Sequence, residues 1–217
     1  MKVILLISLC LLSQITSLKW LGIDLSGWDD TVYWDVLKTQ VKFVILRAGY
    51  GQGGNDSVYE RYYKKCKEIG MPVGAYWYAK ATTVKGAREE ANYFLNKLKG
   101  KKFEFPVYYD IEENSIFDSD LQDVISKAFC DVMEANKYYC GIYSSAYYLS
   151  NVFDKSVTNR YTIWVAHYGV NRPSYYGEYD IWQKGSGPVS GAGDDIDLDE
   201  GYLNFEPVVK QKHLNGY

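Results

Sequence analysis

The sequence predicts a single-domain α/β barrel in which five strand–helix units are followed by three strands. Three observations predict it. Apolar strand-like runs alternate with helical patterns from residue 19 to about 145, the order that yields a parallel sheet with helical crossovers. Beyond residue 145 strand-like runs continue, but no clear helical pattern separates them. A chain of 217 residues, 47% hydrophobic and 17% aromatic, can fill one core, and barrels commonly run to about 200–250 residues as one unit.

The strand-like runs come first as "KWLGIDLS" (19–26), "KFVILRAGYG" (42–51), "PVGAYWYAK" (72–80), "FPVYYDIE" (105–112) and "CGIYSS" (140–145). They are rich in the β-branched and aromatic types that suit a pleated, half-buried surface. Helical patterns occupy roughly 31–40, 57–69, 84–99 and 119–136. In the third, Ala87, Ala91, Phe94, Leu95 and Leu98 share one apolar face and Gly100 ends the run. The late strands are "YTIWVAHYG" (161–169), "YDIWQKG" (179–185) and "DDIDLDEGY" (194–202), and the last residues, "VVKQKHLNGY", read as a tail. "GYGQGG" (49–54) lacks the lysine of a phosphate-binding loop and reads as a mobile loop over a cleft.

"MKVILLISLCLLSQITS" (1–17) has a basic start, an apolar run and a small polar end. That is the pattern of a secretory signal peptide, too short to span a bilayer. The expected division is therefore 1–17 signal peptide and 18–217 mature domain. The expected location is the secretory pathway, ending outside the cell or in the lumen of a digestive vesicle. No later stretch is apolar enough to anchor the chain, and a net charge of −3 offers no basic face for nucleic acid or an anionic membrane. A monomer is expected. Cleavage removes Cys10 and leaves Cys66, Cys130 and Cys140. At most one internal bridge can form from three thiols, and Cys130–Cys140 is the candidate because it closes a short helix-to-strand connection. Asn55-Asp56-Ser57 is a glycosylation sequon, with Asn55 as acceptor.

In α/β barrels the chemistry gathers at the C-terminal ends of the strands. Here the first strand ends at Asp24 and Ser26, the second at Tyr50, the third at Tyr76 and Tyr78, and the fourth at Asp110 and Glu112. The late strands add Trp164, Tyr168, Trp182 and Asp197. Residues two apart on a strand face the same way, so Asp110 and Glu112 point together. Crowded carboxylates beside aromatic walls push their pKa values apart, leaving a proton donor and an anion near neutral pH. That pair can cut a glycosidic bond, while aromatic faces stack on sugar rings. Against this, a lone D-x-E is common on strands, and a strand tryptophan usually packs in the core. Three separate acid sites at strand ends outweigh those readings.

Other chemistries fit less well. Only His167 and His213 are present, no G-x-S-x-G elbow precedes a histidine, and no His/Cys cluster has zinc spacing. "DDIDLDEGYLNFE" imitates a calcium loop, but Glu200 stands where the loop needs glycine. No metal and no organic cofactor is expected.

"GIDLSGW", "FVILRAGYG", "GAYWYA", "PVYYDIEE", "IWVAHYG", "DIWQKGSG" and "DIDLDEGY" follow one another as in glycoside hydrolase family 25, the CH-type lysozymes, and the chain resembles that family over about residues 20 to 205. The resemblance implies an irregular TIM-like (β/α)5β3 barrel. It also implies hydrolysis of the β-1,4 bond between N-acetylmuramic acid and N-acetylglucosamine, with bacterial peptidoglycan as partner. By motif, Glu112 would be the general acid, Asp110 would orient and polarise the 2-acetamido group if that group and not an enzyme carboxylate is the nucleophile, and Asp24 and Asp197 would complete an acidic floor. Tyr50, Tyr76, Tyr78, Trp164, Tyr168 and Trp182 would line the sugar subsites. The chain departs from the family's V-D-x-N pattern by carrying Asp199 where asparagine is usual, a carboxylate that would alter pH dependence or face solvent. "GSGPVSGAGDD" is also longer than the usual link, and the alternation Ile196-Asp197-Leu198 favours Asp197 over Asp195. Two rivals stand beside the muramidase reading: a hydrolase of another N-acetylglucosamine polymer, and a catalytically silent glycan-binding barrel.

Overall fold

A computed structural model describes residues 19–217 apart from Asp30 and Ser119, so the signal peptide read at 1–17 lies outside the described residues. The chain runs β1 (Trp20–Leu25), α1 (Trp34–Gln40), β2 (Phe43–Tyr50), β3 (Gly54–Asn55), α2 (Tyr59–Ile69), β4 (Val73–Tyr78), α3 (Val84–Leu98) and β5 (Val107–Asp110). It continues through α4 (Asn114–Phe117), α5 (Gln122–Ala135), β6 (Cys140–Ser145), α6 (Ala146–Asn151), α7 (Lys155–Thr158), β7 (Thr162–Ala166), β8 (Ile181–Val189), β9 (Gly193–Gly201) and α8 (Glu206–Gln211).

Strand β1 pairs with β2 on one side and β9 on the other, closing β1–β2–β4–β5–β6–β7–β8–β9 into a barrel. Strands β1 to β8 in that ring run parallel, whereas β9 is antiparallel to both of its neighbours. The expected five strand–helix units and three further strands are all present. The helix of the fifth unit was not visible in the sequence because it is split into α6 and α7, each too short to show a 3.6-residue period. Both are capped locally: the Ser145 hydroxyl accepts from Tyr148 N at 3.3 Å, and the Asp154 carboxylate accepts from Ser156 N at 2.7 Å.

Alternation along the strands builds two cores. Outward residues such as Val107 and Tyr109 meet the helices, and the Tyr109 ring stacks on Phe129 of α5 with centroids 3.8 Å apart. Inward residues Phe43, Ile45, Tyr108 and Trp164 fill the lower barrel with Phe105 and Phe205. Burying each such side chain contributes about 1.5–3 kcal/mol. Aromatic packing therefore fills the lower barrel and leaves the polar layer at one end.

The "tail" is part of this core. Phe205 enters the bottom of the barrel against Phe105, and α8 carries the chain to Asn215, which is fully buried. There Asn215 Oδ1 accepts from Tyr139 N at 2.7 Å, and Asn215 Nδ2 donates to the Phe105 carbonyl at 2.9 Å. Polar composition hid a segment that plugs the barrel by hydrogen bonding. The calcium-like run is strand β9, as its alternation indicated.

Candidate active site

The parallel strands bring their C-terminal ends to the mouth, and β9 reaches the same mouth with its N-terminal half because it runs the other way. Its register sets Gly22 against Asp199 and Ile23 against Leu198, and Asp197, one residue beyond the paired stretch, lies close enough to Asp24 to repel its charge. Asp197 thus joins the acidic floor from mid-strand, not from a strand end.

Four sequence-predicted acids, Asp24, Asp110, Glu112 and Asp197, meet there. Ile111 packs outward into the core, which leaves Asp110 and Glu112 on the inner side. Asp110 is 4% exposed, and its Oδ1 has no hydrogen-bond partner among the described residues. Burial, then the charges of Glu112 and Asp24, push its carboxyl well above the ordinary value, with Arg47 opposing. Glu112 opens onto the cleft. Partial desolvation raises its carboxyl, the influence of the Tyr143 hydroxyl lowers it, and Asp197 and Glu113 add to the rise. Asp24 is raised mainly by burial and by Asp197. For Asp197, burial is again the first cause, followed by Asp29. Four carboxyls in such mutual repulsion each hold their protons to higher pH than an isolated acid would.

Gln183 ties the floor together. Its Nε2 donates to Asp24 Oδ2 at 2.8 Å, and its Oε1 accepts from both Tyr143 and Tyr168 hydroxyls at 2.6 Å. Beneath it, Asp199 is fully buried and accepts from Trp164 Nε1 at 2.8 Å, while its Oδ2 lacks a partner among the described residues. Of the two expectations for Asp199, solvent exposure is therefore excluded.

Two arms of the cleft flank β5. One, of about 630 Å³, lies over β1, β2 and β4 and is lined by Trp28, Arg47, Tyr50, Tyr78, Lys80 and Glu113, among others. The other, of about 740 Å³, lies over β6 and β7 and includes Glu112, Tyr147, Tyr168 and Tyr176. Tyr50, Tyr78 and Tyr168 thus line the cleft as expected. Three of the other aromatics do not. Trp182 points outward into the helix-facing core and donates from Nε1 to the His167 carbonyl at 2.9 Å. Trp164, 1% exposed, lies below the floor in edge-to-face contact with Tyr76, Tyr108 and Tyr143. Tyr76 is itself 7% exposed and belongs to the same inner cluster. Trp164 and Tyr76 face inward but sit too deep, because alternation assigns no depth within the barrel, whereas Trp182 lies on the outward face.

Several functional groups escaped the sequence reading. Arg47 sends Nε to Asp56 Oδ2 at 2.8 Å, and Asp56 also accepts from Gly27 N and Val58 N, at 2.8 and 3.0 Å. Asp56, the middle residue of the sequon, therefore knits the β1 loop to the β2 rim, while Asn55 beside it lines the cleft. The Gly-rich stretch is held by Gly51 N donating to the Tyr78 carbonyl at 3.0 Å and by Trp77 Nε1 donating to the Gly51 carbonyl at 3.2 Å. It forms a pinned rim in place of the free loop expected. Cys130 and Cys140 lie with Sγ atoms 2.8 Å apart as thiols, and Cys66 is buried elsewhere.

This arrangement has relatives. The chain is 27% identical over 182 residues to the autolytic lysozyme of Clostridium acetobutylicum, which covers 82% of this chain and 55% of that protein. It therefore spans little more than half the length of that relative. The solved CTP1L endolysin superposes with a TM-score of 0.74 at 28% identity, covering 88% of this chain and 69% of that one. The bacterial lysozyme from Streptomyces coelicolor shares the fold with a TM-score of 0.71 at 23% identity, covering 85% of this chain and 92% of that one. A family profile matches residues 23–191, from the strand that bears Asp24 to the hairpin before Asp197, and the chain belongs to glycosyl hydrolases family 25.

Proposed function

We propose that this chain is a muramidase that hydrolyses the β-1,4 bond between N-acetylmuramic acid and N-acetylglucosamine in bacterial peptidoglycan. One observation carries the reading: Asp110 is walled in beside Glu112, and only Glu112 of that pair opens onto the space between two aromatic arms. A general acid must reach the oxygen it protonates, and this access supports Glu112 in that role. A carboxyl partly desolvated and then crowded by like charges keeps its proton at higher pH than a free one, as the role requires.

Asp110, 4% exposed at the floor, would orient the substrate's 2-acetamido group so that its carbonyl oxygen meets the anomeric carbon. Bond cleavage would then pass through an oxocarbenium-like state with Glu112 protonating the departing oxygen. Water, deprotonated by the same Glu112, would finish the cycle. Asp24, fixed by Gln183, and Asp197 would stabilise the developing positive charge. Relatives named as lysozymes support this substrate. We also infer that residues 1–17 direct the chain into the secretory pathway, for action outside the cell or in a digestive lumen.

The test is the identity of the new reducing ends released from purified peptidoglycan, beside Glu112→Gln. Muramic acid ends that vanish in the variant support the assignment. N-acetylglucosamine ends would move the cut to another bond, and binding without cleavage would favour a silent glycan-binding barrel.

A further inference from the structure

We propose that Lys80 reads the negative charge of the peptide stems on the glycan, so that the arm over β2 and β4 takes the peptide-bearing part of the substrate. This rests on the muramidase reading above and deepens it. Lys80 follows β4 by two residues and lines that arm. Its ammonium stands 5.6 Å from the centroid of the Tyr50 ring and 5.9 Å from that of Tyr78. Arg47, the other cation lining the arm, is committed to Asp56 at 2.8 Å. Lys80 has no carboxylate partner within ion-pair distance among the described residues.

The position is built. Lys80 N donates to Glu90 Oε1 at 3.1 Å, and the other oxygen of Glu90 accepts from the Tyr109 hydroxyl at 2.6 Å. Glu90 lies fully buried on the apolar face of α3. That face thus spends an acid on fixing the backbone that presents Lys80. On the other side Gly51, at φ +53°, packs against the lysine stem, where a Cβ would sit 3.3 Å from Lys80 Cδ. The stem is walled between Gly51 and two tyrosine rings, and the three ammonium donors remain for a ligand.

Chemistry names that ligand. A glycan of N-acetylated sugars alone offers hydroxyls and neutral amides. In peptidoglycan the lactyl group of muramic acid is joined to a peptide, and the peptide ends in free carboxylates. A partly exposed aromatic shelf bearing one unpaired ammonium is complementary to such an anion. An acidic floor alone would repel it.

The test compares Lys80→Met, which keeps the stem and removes the charge, with Lys80→Arg, which keeps the charge. Each is measured on intact peptidoglycan and on the same material with its stem carboxylates converted to amides. The expected result for Lys80→Met is a KM raised on the order of fivefold on intact material, the size of one partly exposed charge pair, with kcat within about twofold. On amidated material Lys80→Met and wild type should coincide, and Lys80→Arg should behave as wild type on both. Equal KM changes on both substrates, or none, would overturn the proposal. Binding of the same variants in a Glu112→Gln background to intact and amidated peptidoglycan repeats the comparison without turnover. If the muramidase reading fails, wild type releases no reducing ends or ends that are not muramic acid, and that binding comparison still decides the role of Lys80.

Discussion

Asp199→Asn exchanges one oxygen for a nitrogen at a position that solvent does not reach, which isolates the ionisation of a single carboxyl. The groups around it are Asp24 on β1, Tyr108 on β5, Trp164 on β7, Gln183 on β8 and Asp197 on β9. Burial, then the Asp24 charge, raises the Asp199 carboxyl well above the ordinary aspartate value of 3.8, with the Trp164 hydrogen bond opposing. The sign follows from linkage. Above pH 3.8 the unfolded chain has released this proton while the folded chain retains it, so the folded state binds more protons and stability falls as pH rises. The contribution is fully present below the unfolded value and is lost through the interval up to the raised native value.

One retained proton corresponds to a slope of about 1.4 kcal/mol per pH unit. For a domain of about 200 residues that is roughly 3–6 °C in Tm per pH unit. Asparagine keeps the acceptor for Trp164 Nε1 and cannot ionise. Thermal unfolding of both proteins across about pH 4 to 7 at low salt should therefore show the variant gaining on wild type as pH rises. The other acids titrate in both proteins, so the difference isolates Asp199 together with its coupling to Asp24. A Tm difference independent of pH would refute the reasoning and show that Asp199 is ionised and compensated in the fold.

Two further predictions follow from the placements described above. Trp182→Phe should lose about 1–2 kcal/mol of stability with the His167 hydrogen bond and leave KM on peptidoglycan unchanged. Trp28→Ala, at a side chain 85% exposed in the cleft, should leave Tm unchanged and raise KM several-fold; the reverse pattern would return Trp182 to the sugar site. Mild oxidation followed by peptide mapping should join Cys130 to Cys140 and leave Cys66 free, because the first two sulfurs already touch. Burial raises the Cys130 thiol well above its ordinary value, so the reaction should be slow in the native protein. A bridge involving Cys66 would contradict the fold.

The sequence carried the ring of strands because every barrel strand is a run of β-formers bounded by turns or helices. It carried the acidic floor because Asp110 and Glu112 stand two apart at the end of such a run. Depth was not legible. Trp164, Trp182 and Tyr50 look alike as strand aromatics, yet one fills the barrel, one backs it and one borders the cleft. Partners from distant segments were equally hidden. Gln183 is an ordinary polar residue until closure of the barrel brings it to Asp24, 159 positions away in the chain. Glu90 stands on the apolar face of a helix, where its burial was the available signal, and its role depends on Tyr109 and the Lys80 backbone. Asn215 closes the bottom of the barrel through two side-chain hydrogen bonds to backbone that no local pattern announces.

The central claim is that Glu112 donates the proton that cleaves a muramyl bond. Its most direct measurement is the sugar at the reducing end after digestion of peptidoglycan by wild type and by Glu112→Gln, with circular dichroism as the check on folding. The account predicts N-acetylmuramic acid at that end, with turnover in the folded variant lower by about 10²–10⁴-fold. Near-normal turnover in a folded Glu112→Gln protein, or N-acetylglucosamine at the new end, would contradict it.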